Sequence, residues 1–136
     1  MRRPKALARG AVWLALMLSA VAGVAPAAAA TSEAEVKAAY LYKLASFVRW
    51  PGDSSGPFRI CVAGRGDVAG VLGQLVRGQQ VAGRPIAVEQ LTSAQADRAK
   101  ACQVLFLGRG TAAATSMFAA TRGFPVLTVG DRNDGT

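Results

Sequence analysis

Histidine is absent from the 136 residues, and cysteine occurs only twice, at Cys61 and Cys102. Without an imidazole, no side chain has an ordinary pKa suited to general acid–base work at neutral pH. Two isolated thiols make no zinc site, so no metal and no cofactor are expected. Clustered acid is lacking too. Glu33 and Glu35 belong to a helix start, and Asp131 and Asp134 fall in the last residues. Ser46, Ser93 and Ser116 stand outside any G-x-S-x-G setting. These absences exclude the common hydrolytic and metal-dependent chemistries, and the chain reads as non-enzymatic.

Long apolar runs are also scarce, with one at the N-terminus. "MRRPKALAR" carries Arg2, Arg3, Lys5 and Arg9 with no acid, and "AVWLALMLSAVAGVA" follows. "PAAAA" then sets small residues at Ala28 and Ala30. A charged segment, an apolar core and an A-x-A site make residues 1–30 a signal peptide cleaved near Ala30. A membrane span needs about 20 apolar residues, and Ser19, Gly23 and Pro26 interrupt this shorter core. The expected product is a periplasmic chain, residues 31–136, that does not span the membrane after cleavage.

Removing the leader also lowers the charge. Of sixteen cations, four lie in residues 1–30, leaving twelve against eight acids, a net of +4 rather than +8. The remaining arginines are scattered, with no cluster interleaved with aromatics, so nucleic acid is excluded as a partner. In an oxidising compartment an even pair of cysteines reads as a disulfide, structural or regulatory. Closing a loop of this length stabilises by about 4 kcal/mol in the chain-entropy model.

Aromatic residues are few and unevenly placed. Tyr40, Tyr42, Phe47 and Trp50 fall within eleven residues, and only Phe58, Phe106, Phe118 and Phe124 follow. Ser32-Glu33-Ala34-Glu35 has capping-box spacing and opens a helix. Its stripe is Val36, Tyr40, Leu44 and Phe47, widened by Leu41, Ala45 and Val48, which predicts the core-facing side. Pro51 ends the element at Trp50, with Trp50-Pro51 pinning the helix end against the sheet. Tyr42 lies about 160–200° around the helix from Tyr40 and is expected to be exposed. Tyr42 and Trp50 are the candidate partner-contact residues.

From Phe58 onward, strands and helices alternate. "FRICVAG", "RPIAVEQL", "CQVLFLG" and "PVLTVGD" read as strands, and the third is apolar enough to be buried on both faces. "DVAGVLGQLVRG" and "TAAATSMFAATRG" read as helices, and "SAQADRA" as a short helical turn. The fold class is α/β: a single domain with a mostly parallel sheet and helices on both faces. The polar "GDRNDGT" that follows the fourth strand reads as a point where another element should begin, so the domain is expected to be incomplete at its C-terminus.

Gly64, Arg65 and Gly66 follow the first strand and precede a helix, an arrangement that presents amides to an anion. This loop gives the alternative reading, a periplasmic small-molecule binder. Against it, Ala69 stands where the third glycine of G-x-G-x-x-G belongs, and Asp67 at the helix start would repel a phosphate.

"EAEVKAAYLYKLASFVRWP", "FRICVAG", "VAGRPIAVEQL", "ACQVLFLG" and "PVLTVGD" together resemble the YfiR family of exported bacterial proteins over Glu33 to Asp131. The resemblance implies a periplasmic α/β domain that represses an inner-membrane diguanylate cyclase. It would bind the cyclase's periplasmic sensor region and so lower cyclic di-GMP, polysaccharide production and attachment. It also implies a Cys61–Cys102 bridge between the first and third strands. A second copy of the chain is the other partner considered. Family members continue past the "LTV" strand, and this sequence stops soon after it.

Overall fold

A computed structural model describes Gly23 and residues 31–52 and 55–131. The signal peptide assigned to residues 1–30 and most of the tail lie outside the described residues. The chain from residue 31 onward forms one compact unit.

The first helix, α1 (Glu33–Phe47), starts as its sequence dictates. Ser32 Oγ accepts from the Glu35 amide at 3.1 Å, and Glu35 Oε2 accepts from the Ser32 amide at 2.6 Å. These two bonds satisfy amides that the first turn would otherwise leave bare. The helix ends at Phe47, earlier than expected, because Val48 is already extended at φ −78°, ψ 138°. Trp50 then folds back, its Nε1 donating to the Ala45 carbonyl at 2.8 Å. Its ring meets Phe58 edge-on at 4.9 Å between centroids, and the Arg84 guanidinium lies 5.7 Å from the centre of the Phe58 ring. Phe58 is fully buried, a contribution of about 1.5–3 kcal/mol.

The face that α1 buries overlaps the expected one only along Leu41 and Ala45. Val36, Tyr40 and Phe47 are 57%, 59% and 84% exposed, while Ala38, Leu41 and Ala45 are buried. Tyr42, expected outside, is half-buried and packs against the core with Ala34 and Trp50. The physical reason is close approach: alanines let the helix backbone settle near α2 and the sheet, where a stripe of rings would hold it away. The packed side runs along Ala38, Leu41 and Ala45 rather than along Tyr40 and Phe47.

The remaining elements are β1 (Phe58–Ala63), α2 (Val68–Leu75), β2 (Gln80–Val81), β3 (Arg84–Leu91), a 3-10 segment (Ser93–Ala101), β4 (Val104–Leu107), α3 (Ala114–Ala120) and β5 (Leu127–Gly130). The sheet order is β2-β3-β1-β4-β5. β1 pairs in parallel with β3 and β4, and β4 with β5. The two-residue β2, absent from the sequence reading, pairs antiparallel with β3. A tight turn joins them, with Ala82 and Gly83 at φ 52° and 72°, the left-handed pair that suits a two-residue hairpin.

Alternation along β1 and β4 divides the core in two. Phe58, Ile60 and Val62 with Val104 and Phe106 face α1 and α2. Cys61 and Ala63 with Leu105 face the 3-10 segment and α3 through Ala99, Ala113 and Met117. Helices therefore cover both faces, and β4 is buried on both, in agreement with the sequence. Chain order reverses between β1 and β4: β3 lies on one side of β1, and the later strands on the other.

Candidate functional site

In open parallel sheets, ligands settle beyond the carboxyl ends of the strands where chain order reverses. Here that point is shared by the Gly64–Asp67 loop after β1 and the Gly108–Thr111 loop after β4. Gly64 and Gly66 take φ 105° and 110°, conformations that favour glycine. The two loops bond to each other rather than parting. The Arg65 amide donates to the Arg109 carbonyl at 3.0 Å, and the Gly108 amide to the Ala63 carbonyl at 2.7 Å. A Cβ on Gly64 would sit 2.7 Å from Thr111 Oγ1 and 2.8 Å from the Gly108 carbonyl carbon. Backbone thus joins the two loops directly, and beside the joint a cavity of about 300 Å³ stays open, lined in part by Gly64, Arg65, Thr92, Ser93 and Thr111.

Asp67 occupies the N-cap position of α2 but makes no side-chain cap bond. Its Oδ1 leans over the first turn, 2.6 Å from where a Cβ on Gly70 would stand. That carboxylate takes the place an anion would need. A wider opening of about 680 Å³ lies between the loop after β4, α3 and β5, lined in part by Arg109, Thr111, Phe118 and Arg122.

The carboxyl edge is closed by a four-charge network that sequence reasoning did not foresee. Lys37 pairs with Glu33 and, at 2.5 Å, with Asp131; Arg109 reaches Glu33 at 3.0 Å and Asp131 at 3.6 Å. It joins the start of α1, the loop after β4 and the end of β5. Its members lie up to 98 positions apart, so only the i,i+4 pair was legible in sequence. The Lys37 hydrogen bond first, then the Arg109 charge, holds Glu33 below the usual carboxylate range. Hydrogen bonds to Asp131 and then Glu33 raise Lys37.

A glutamate whose folded pKa is depressed stabilises the fold above its unfolded value and loses that contribution as acid protonates it. A lysine raised by its partners contributes below its unfolded value and loses the contribution only in strong alkali. The melting temperature should therefore fall as pH drops from about 5 to 3, and a Lys37→Met variant should show a shallower fall over that window. Equal acid slopes in thermal melts of the two proteins would remove the network from the account.

The bridge Cys61–Cys102 is present, with Cα atoms 5.9 Å apart. It lies on one face of the sheet rather than across its edge. Cys61 is inside the central strand, and Cys102 ends the 3-10 segment packed over that face. Both are buried, at 0% and 2% exposure. Tyr42 and Trp50 both pack on the core of the other face, where the Tyr42 hydroxyl donates to Gln79 Oε1 at 3.2 Å. The unpartnered surface lies opposite them, at Val36, Tyr40 and Phe47. No helix among the described residues is long and apolar enough to cross a membrane.

The fold is a single α/β domain whose first helix displays rings on its outer face. Residues 34–136 match the YfiR/HmsC-like family, and the chain belongs to that family. The family is regulatory rather than catalytic, and periplasmic. A search of curated proteins found no match.

Proposed function

We propose that this protein is a periplasmic repressor of an inner-membrane diguanylate cyclase, acting by protein contact with the cyclase's sensor region. The family match over residues 34–136 carries the reading. A leader on residues 1–30 and a buried bridge both suit an oxidising compartment outside the cytoplasm. Repression of this kind needs a stable surface and no chemistry, which fits a chain without histidine. Tyr42 and Trp50 serve that surface by fixing α1 against the core. A small-molecule site at Gly64, Arg65 and Gly66 has weaker support: the cavity beside the loop is about 300 Å³, Thr111 and the Gly108 backbone press on Gly64, and the Asp67 carboxylate stands at the helix start.

Cellular cyclic di-GMP tests the reading. Deleting the gene should raise it, and restoring the gene should bring it back down. An unchanged level in both strains would refute repression of a cyclase while leaving the fold and family untouched.

A further inference from the structure

The three helices all end at the amino end of the sheet. Glu33 meets Arg109, which follows β4, so α1 starts at the carboxyl end. A rise of about 1.5 Å per residue carries Phe47 some 21 Å from there, about the length of a strand. α2 and α3 start after β1 and β4 and lead down toward β3 and β5. Arg77, past the end of α2, borders Pro85 and Ile86 at the start of β3.

Each helix finishes in the same pair, an exposed apolar side chain and an arginine two positions away: Phe47 with Arg49, Leu75 with Arg77, and Phe124 with Arg122. The turns that carry them are fixed. The Val48, Arg77 and Phe124 amides donate to the Leu44, Gln74 and Thr121 carbonyls at 3.2, 3.4 and 3.1 Å. None of the three arginines has an acidic partner among the described residues. Single exposed apolar side chains are ordinary; one apolar–arginine pair repeated on three turns at one end makes a contact surface.

We propose that this end docks on an anionic lipid surface, its apolar side chains entering the headgroup region and its arginines bonding lipid phosphates. This is peripheral docking and not a span. A guanidinium bonds phosphate through paired donors, and its apolar stem tolerates the boundary layer. The family is periplasmic, and membranes bound that compartment on both sides.

Geometry favours a flat target. β3 and β5 lie three strand spacings apart, about 14 Å. α1 and α2 cover one face of the sheet, and α3 the other. The three pairs therefore span the end of the domain in both directions, whereas a peptide or helix would engage one edge or one groove. Charge sets the orientation. Glu33, Glu35, Asp67 and Asp131 gather at the carboxyl end, Glu89 is engaged by Arg59 and Arg98, and Asp97 lies midway along the 3-10 segment. A negative surface attracts the arginine end and repels the opposite one. The docking holds whether or not the chain represses a cyclase.

The test uses the full chain expressed with its own leader and co-sedimented with vesicles. Wild type should sediment with vesicles of pure phosphatidylglycerol and stay in solution with vesicles of pure phosphatidylcholine. Raising salt from about 0.05 to 0.5 M should release it. Arg49→Gln, Arg77→Gln and Arg122→Gln should each lower the partition coefficient about fivefold, and Phe47→Ser about tenfold. These side chains are exposed, so melting temperatures should stay near wild type. Val36→Ser changes an equally exposed site near the acidic start of the same helix and should bind like wild type. Equal sedimentation with both lipids, arginine variants that bind like wild type, or a Val36→Ser loss matching that of Phe47→Ser would each overturn the proposal. So would a chain that ignores both vesicles, which would make an acidic protein surface the occupant of this end.

Discussion

Replacing both Cys61 and Cys102 with alanine should lower stability by about 4 kcal/mol, the loop-closure value for a bridge across 41 positions. Against a total of about 5–15 kcal/mol for a domain of this size, that removes a quarter to most of the margin. The placement argues for the upper part of that range. Cys61 sits inside the strand that pairs on both sides, and Cys102 tethers the crossover covering that strand. Losing the bridge frees the 3-10 segment, whose inward residue Ala99 has little apolar bulk of its own. Urea titration of the double variant checks the value. A loss under about 1 kcal/mol would mean that packing alone holds the segment.

The same burial speaks to regulation. Neither sulfur of the bridge is open to solvent, so a reductant must wait for the segment to lift away. Loss of activity on reduction should then track loss of fold. Activity lost at a temperature where circular dichroism still reports the native domain would instead make the bridge a switch.

The sheet was legible because its strands are short, apolar and β-branched between glycine-bearing turns, patterns few other structures tolerate. The α1 start was legible for a similar reason: Ser32 and Glu35 make a local contact spaced three apart. The buried side of α1 was legible only in part: Leu41 and Ala45 belong to the expected stripe, but Tyr40, Leu44 and Phe47 form as good a helical stripe beside Ala38, Leu41 and Ala45. Only the neighbouring α2 and sheet decide between the two, and they favour the smaller side chains. The early end of α1 escaped notice because Pro51 restrains only Trp50, whereas the chain leaves the helix at Val48 so that Trp50 can reach Phe58. The 3-10 segment was legible as the short helical turn of "SAQADRA", whereas the two-residue β2 is too short for any period to show. For the crest, the pattern of glycines at 64 and 66 was visible, but not its purpose. What closes it is Gly108, a residue without a side chain, 44 positions away.

That closure makes the second large prediction. Gly64→Ala should destabilise the domain by about 2–6 kcal/mol. A non-glycine residue at φ 105° costs about 1–3 kcal/mol in backbone strain. A Cβ within 2.8 Å of Thr111 Oγ1 and the Gly108 backbone adds about 1–3 kcal/mol of overpacking. Gly66 provides the internal comparison. It has a similar φ of 110°, but a Cβ there meets nothing within 4 Å, so Gly66→Ala should cost the strain alone. Equilibrium unfolding of the two variants separates a packed joint from an open ligand loop. A joint gives a clear excess for position 64. An open loop would make the two substitutions equal in stability and leave their difference to ligand binding, and that result would restore the small-molecule reading of Gly64–Gly66.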